Sequence, residues 1–253
     1  MGSVLQVHSF LFVLARITAF IVVVPGFSHK SLPNTAKIAL SLILSWIVYT
    51  NIPESPIYEE NLLFILGVVR EAIIGLSMGF IGKLVFSAVE MAGQLIDFQV
   101  GYSMGAIYDP TSASMSSYYG RLFYWMGILV FFILDLHHTM LLSLMDSFRA
   151  VPPGQIGFGA IELEGFLYVF SYAFKIAISI AAPMIIVMLV IDIVMGLISR
   201  TVPQINVFML GMPLKSLIGM FMFLVLVSTF MNLMGKTLGN MDGYMKKMIE
   251  MFR

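Results

Sequence analysis

Long apolar runs, each closed by a short cluster of turn-forming residues, follow one another along this chain. They cover Val4 to Val24, Ile38 to Ile52, Leu62 to Val89, Leu122 to Met145, Phe166 to Ser199 and Ile205 to Met234. Apolar runs of this length predict helices, either spanning a membrane or buried in a helical assembly. Between them stand Pro25-Gly26, Pro33-Asn34, Pro53-Glu54-Ser55-Pro56, Asp109-Pro110-Thr111-Ser112, Pro152-Pro153-Gly154 and Thr201-Val202-Pro203, which supply turn geometry and interrupt helical hydrogen bonding. The expected fold class is all-α, a polytopic membrane-complex protein of about six apolar helical segments. No short-period repeat, heptad run or low-complexity linker occurs, so residues 1–253 are expected to form a single domain.

The runs do not match a bilayer evenly. A span needs about 20 apolar residues, so the second run is short while the third and fifth are long. Lys30 and Lys37 follow the first run, the acidic Glu54, Glu59 and Glu60 follow the second, and Arg200 follows the fifth, a distribution that places the amino terminus outside. An even number of spans then puts the carboxyl tail outside as well, yet Lys236, Lys246, Lys247 and Arg253 belong inside by the same rule. Either the count is odd or the helices do not each cross the bilayer on their own.

Ionisable residues deep inside the runs favour the second reading. Arg16, the adjacent Arg70 and Glu71, Lys83, Asp135, Lys175, Asp192 and Lys215 all interrupt apolar sequence. A charge near the centre of a lipid-embedded helix costs roughly 2.5 to 3.5 kcal/mol on insertion scales. These residues, with Arg200 at the end of the fifth run, are therefore expected to be buried charges paired between helices or between subunits. Arg70 and Glu71 point about 100° apart on a helix and rarely meet, and Lys175 and Asp192 are too far apart along one helix to touch. Gly67, Gly75, Gly79 and Gly82 in the third run predict close helix packing. The 21 methionines read mainly as core filling, with a deformable seal as the functional alternative.

Composition agrees with a membrane assembly. The chain is 59% hydrophobic and 11% charged, against roughly 25% charged residues in ordinary soluble domains. Fourteen basic and fourteen acidic residues cancel, and no basic cluster is present to recruit nucleic acid. The absence of cysteine excludes disulfides, thiolate metal sites and a cysteine nucleophile. Arg16 interrupts the stretch where a signal peptide keeps a clean apolar core, and Gln6 stands where a myristoylation motif has Ser or Thr.

Catalytic chemistry finds little support. His137 and His138 follow Asp135, but a helical metal pair usually sits at i and i+4, so no metal or cofactor is expected. No nucleophile elbow, phosphate loop or dinucleotide fingerprint occurs. Three functional classes remain. One is a non-catalytic subunit of a helical membrane assembly. The second is a small-solute secondary transporter with an intramembrane relay of Arg70, Asp135, Lys175 and Asp192. The third is an intramembrane enzyme pairing Asp135 with His137, which has no supporting motif.

Two stretches look unlike generic membrane sequence. The first runs Gly93-Gln94-Leu95-Ile96-Asp97-Phe98-Gln99-Val100-Gly101-Tyr102-Ser103-Met104-Gly105-Ala106-Ile107-Tyr108-Asp109-Pro110, followed by small residues from Thr111 to Ser117. The second is Asp192-x-x-x-Gly196-x-x-x-Arg200-x-x-Pro203-Gln204-x-Asn206-x-Phe208, with Gly211-Met212-Pro213-Leu214-Lys215 behind it. Together they closely resemble the FliR family of flagellar biosynthetic proteins, whose relatives serve the injectisomes of type III secretion. The likeness covers nearly the whole chain. It departs at Asp135-Leu136-His137-His138, where the family commonly has Gly-His.

The resemblance implies a non-enzymatic subunit that joins FliP and FliQ type proteins, with helical hairpins partly above the membrane plane, to form an export gate. It implies further contact with FlhB and FlhA type components, with membrane lipid and with unfolded exported proteins, at the flagellar basal body in the bacterial inner membrane. The family uses a loop inside the gate as a plug, which corresponds here to the polar break from Met104 to Tyr118. Tyr108 and Met115 would fill the pore axis, Asp109-Pro110 would set a turn, and Ser112 and Ser116 would keep side chains short.

Overall fold

A computed structural model of the chain describes residues 2–29, 31–52, 58, 60–102, 117–155, 163–202, 207–250 and 252, with side chains for all of these except 2–6, 163–168 and 207–209. The described residues are all-helical: α1 (Gly2–Val23), α2 (Asn34–Tyr49), α3 (Asn61–Val100), α4 (Tyr118–Ile133), α5 (Leu136–Ala150), α6 (Leu163–Thr201), α7 (Val207–Gly239) and α8 (Met241–Glu250). Three stretches, Asn61–Val100, Val169–Thr201 and Leu210–Glu250, are long and apolar enough to cross a membrane, and α4 with α5 makes a fourth if that bent pair counts as one span. The chain is a polytopic membrane protein. At 1.5 Å per residue the 40 residues of α3 reach about 60 Å, twice the hydrocarbon thickness of about 30 Å.

The helices follow the apolar runs with two physical differences. The fourth run is divided, because Asp135 adopts a left-handed conformation (φ 53°, ψ 27°) that an α-helix cannot continue through. The third run continues as helix through the polar Gly93-Gln94 stretch to Val100. It stops where Gly101 takes φ 99°, a positive φ that glycine accepts without strain.

The chain divides into two compact units. The first comprises Met1–Val85, Phe132–Ser171 and Gly239–Arg253. Its core holds Phe12, Ile17, Phe20, Ile74, Met78, Met140, Leu144, Phe148, Met245 and Ile249, all buried. Here α1 lies so close to α3 that a Cβ on Gly75 would collide with the carbonyl oxygen of Arg16, and one on Gly67 would stand 2.7 Å from the Phe12 ring. Glycine at these positions is what lets the two backbones approach. The short amphipathic α8 packs on α5, where Ser143 donates to Asp242 at 2.5 Å and Lys246 bridges to the same carboxylate at 2.8 Å.

The second unit comprises Phe86–Phe131 and Tyr172–Leu238. Phe86, Val89, Ala92, Ile96, Phe123, Phe131, Ile180, Met184, Met188, Phe230 and Met234 form its core. Phe123, Phe223 and Phe230 cluster there, with ring centroids 5.0 to 6.1 Å apart. Gly93 is the crossing point of α3 and α4, since a Cβ on it would strike the Tyr119 and Gly120 backbone.

Candidate functional site

Within the second unit, the two unusual stretches meet. Asp97 lies in the last turn of α3 and is almost wholly buried. An acid there opposes the negative end of its own helix and so calls for compensation from elsewhere. The compensation is the start of α4. Ser117 donates its hydroxyl to Asp97 Oδ2, and the Tyr119 N–H donates to Asp97 Oδ1 at 3.2 Å. The Ser117 Oγ in turn accepts the Gly120 N–H at 2.8 Å, so Ser117 is the N-cap of α4 while Asp97 satisfies the next donor and sets a negative charge on the positive helix end. One carboxylate therefore clasps the residue that precedes and the residue that follows the start of α4, directly after the 103–116 segment.

A cavity of about 740 Å³ opens beside this clasp, lined chiefly by Val100, Tyr102, Tyr119, Met212, Pro213 and Met220. Tyr102 stacks on Tyr119 with centroids 6.1 Å apart and meets Tyr118 edge-on at 5.5 Å. Its hydroxyl lies 2.6 Å from the Ser216 hydroxyl on α7. Aromatic walls with a few hydroxyls make an apolar chamber with fixed polar points, a surface suited to contact and sealing.

Two residues after Asp97, Gln99 donates to Asp192 Oδ2 at 3.1 Å, and Lys215 pairs with Asp192 Oδ1. This network ties α3, α6 and α7 together through one carboxylate. The Asp192 and Lys215 side chains are 40% and 22% exposed, on helices that present Ile193, Leu197, Leu210 and Leu217 outward. A charged pair among exposed apolar side chains is far less costly than two single charges, because each ion neutralises the other.

The first unit holds a second charge cluster. Arg16 donates from Nε to Glu71 Oε2 at 2.6 Å, from one terminal nitrogen to Ser147 Oγ at 3.2 Å and from the other to the Val151 carbonyl at 3.0 Å. Its guanidinium also lies 4.2 Å above the Phe148 ring. Glu71 completes the set by accepting the Gly154 N–H at 3.1 Å. Arg70, 4% exposed, turns away from Glu71 and donates to the carbonyls of Gln155 at 2.6 Å and Phe252 at 3.2 Å. The Tyr58 hydroxyl donates to the Gly154 carbonyl, and burial pushes its pKa upward.

The other residues singled out by sequence are placed as follows. Lys83, Lys175 and Arg200 are exposed and have no ion pair among the described residues. Gln94 is exposed, a Cβ on Gly211 would lie 3.6 Å from Met195 Cε, and Pro213 lies inside α7 at the cavity wall. Met104, Tyr108, Asp109, Pro110, Ser112, Met115, Ser116, Pro203, Gln204 and Asn206 lie outside the described residues. Asp97, Ser117, Tyr102 and Ser216 were not among the site residues chosen from sequence. Only Asp97 carried a legible signal, its acid at a helix C-terminus one turn before a glycine.

These features define an all-helical polytopic membrane protein whose internal charges tie helices to one another. The family model described as bacterial export proteins, family 1, matches residues 7–241, and the chain belongs to that family, the FliR family. It is 33% identical over 233 residues to the flagellar biosynthetic protein FliR of Bacillus subtilis, covering 90% of each chain. It is 31% identical over 211 residues to FliR of Aquifex aeolicus, covering 83% of this chain and 81% of that one. Over 178 residues it is 31% identical to the secretion system apparatus protein SsaT of Salmonella typhimurium, covering 67% of this chain and 69% of that one. Family membership makes it an export protein and not an enzyme.

Proposed function

We propose that this chain is a core subunit of the flagellar type III export gate and forms, with FliP and FliQ type subunits, a closed protein-conducting channel for unfolded export substrates. Membership of the flagellar export apparatus follows from the family. The observation that carries the finer reading is the Asp97 clasp: a buried carboxylate anchors the N-cap of α4, Ser117, at the carboxyl-terminal end of the segment proposed as the plug, from Met104 to Tyr118. A plug that must stay in register against a pore needs a rigid base, and displacing it needs only a few kcal/mol between two states.

Exposed apolar flanks support an assembly. Leu210, Leu217, Phe221 and Leu224 on α7 and Ile186, Ile193 and Leu197 on α6 are more than half exposed in the isolated chain. Lys175 on α6 is exposed too, and helices that expose both apolar side chains and a charge are better covered by neighbouring helices than by lipid alone. The proposed location is the inner membrane at the basal body, with FlhB and FlhA type components as further neighbours. In the transporter reading, Arg70, Asp135, Lys175 and Asp192 act as a relay. Among the described residues, Arg70 and Asp135 do not pair within the first unit, nor Lys175 and Asp192 within the second.

Native mass spectrometry of the chain co-expressed with FliP and FliQ type proteins tests the proposal. A stable mixed complex holding one copy of this chain is expected. A homo-oligomer or monomer that ignores those partners would overturn it.

A further inference from the structure

At the amino terminus of α5, the break in the fourth apolar run gathers three metal-ligating side chains. Asp135 is the only non-glycine residue with positive φ among the described residues. Such a conformation costs an L-residue roughly 1 to 2 kcal/mol, and an outlier of this kind is a reason to ask what it serves. Its backbone is settled: the carbonyl accepts the His138 N–H at 3.0 Å, and its own N–H donates to Phe132 at 3.2 Å. Its carboxylate, although in the N-cap position, makes no capping hydrogen bond. Instead Oδ1 faces His138 Nδ1 at 3.8 Å.

His137 completes the group. Its ring packs on Phe132 with centroids 5.3 Å apart and meets the His138 ring at 4.1 Å. One ligand atom from each of Asp135, His137 and His138 lies within 4.8 Å of the others. A divalent ion bound at about 2.0 to 2.2 Å from each donor brings the donors somewhat closer than this. The shift is small for side chains as exposed as those of Asp135 (73%) and His138 (69%). On a regular helix adjacent histidines point apart; the left-handed residue ahead of them is what turns the carboxylate back over the first turn.

We infer that Asp135, His137 and His138 form a binding site for a divalent transition-metal ion of the zinc type, with two imidazoles and one carboxylate as ligands. Imidazole with carboxylate suits Zn²⁺ and its borderline neighbours, not Mg²⁺ or Ca²⁺. The carboxylate also offsets the positive end of α5, which on its own disfavours a cation. The exposed Asp135 and His138 side chains, with half-buried His137 between them, cannot face hydrocarbon, so the site opens to water or to a neighbouring protein. This inference stands apart from the export reading and survives its failure.

The test is calorimetric titration of Zn²⁺ into the detergent-solubilised full chain, with Co²⁺ absorption as an independent report of coordination by imidazole. One ion per chain is expected. Asp135→Gly removes the carboxylate while glycine keeps the left-handed backbone without strain, so its metal-free thermal stability should hold while affinity falls by about tenfold or more. His138→Gln should lose affinity to a similar degree, and His8→Gln, whose ring stacks on Phe64, should keep it. Absence of saturable binding, or equal affinity in Asp135→Gly, His138→Gln and the unmodified chain, would overturn the inference.

Discussion

Arg16 Nε stands 2.6 Å from Glu71 Oε2, and neither side chain touches solvent. The contact exists because Gly75, one turn beyond Glu71, lets the backbone of α1 press onto α3. Ser147 and the Val151 carbonyl accept from the two terminal nitrogens of Arg16, and the Gly154 N–H donates to the second oxygen of Glu71. Removing one partner leaves an uncompensated buried charge, so Glu71→Ala should lower stability by about 3 to 5 kcal/mol. Arg16→Met combined with Glu71→Leu should cost less than either single change, as read by thermal unfolding in detergent. A double variant as unstable as the sum of the singles would show that the pair does not act as a unit.

Gly75 itself gives a sharper steric prediction. A methyl group there collides with the Arg16 carbonyl, which is backbone and cannot rotate aside. Gly75→Ala should therefore cost about 1 to 3 kcal/mol as an overpacked contact. Gly101 has open space around it but a φ of 99°, so Gly101→Ala should cost through backbone strain alone, about 1 kcal/mol. Only the first should expose α1 to limited proteolysis.

The clasp on α4 can be loosened at Asp97 in two steps. Asp97→Ala leaves the Ser117 hydroxyl and the Tyr119 N–H without their acceptor, a loss of about 1 to 2 kcal/mol. Asp97→Asn keeps one oxygen acceptor and should lose less. Hydrogen exchange of the amides from Tyr119 to Phe123 should rise in the order wild type, Asn, Ala. Unchanged exchange in Asp97→Ala would mean that α4 starts stably without the clasp.

For Asp192 and Lys215 the expected coupling is smaller, because both side chains are partly exposed. A double-mutant cycle with Asp192→Asn and Lys215→Met should give about 1 kcal/mol in detergent. Gln99→Leu, which removes the other hydrogen bond to Asp192, should weaken that coupling. A cycle with no coupling energy would remove the pair from any role in joining α6 to α7.

Much of the fold is legible along the chain. Apolar runs bounded by proline and glycine are local signals, and helix formation is decided locally by hydrogen bonds between residues four apart. That is why α1, α2, α6 and α7 follow their runs, and why glycines in α3 mark a close helix contact. The division at Asp135 was hidden, since a single aspartate at φ 53° has no periodic signature and is held by its surroundings.

The charges were visible as anomalies but their partners were not. Arg16 and Glu71 are 55 residues apart, and Gln99 and Asp192 are 93 apart; no spacing rule reaches that far. Composition and periodicity by themselves determined an all-helical membrane chain, because burial of apolar surface follows from side-chain chemistry alone. Which carboxylate meets which cation, and which serine caps beside which aspartate, was decided by tertiary packing. Only the folded chain brings those atoms within hydrogen-bonding distance and takes the water away from them.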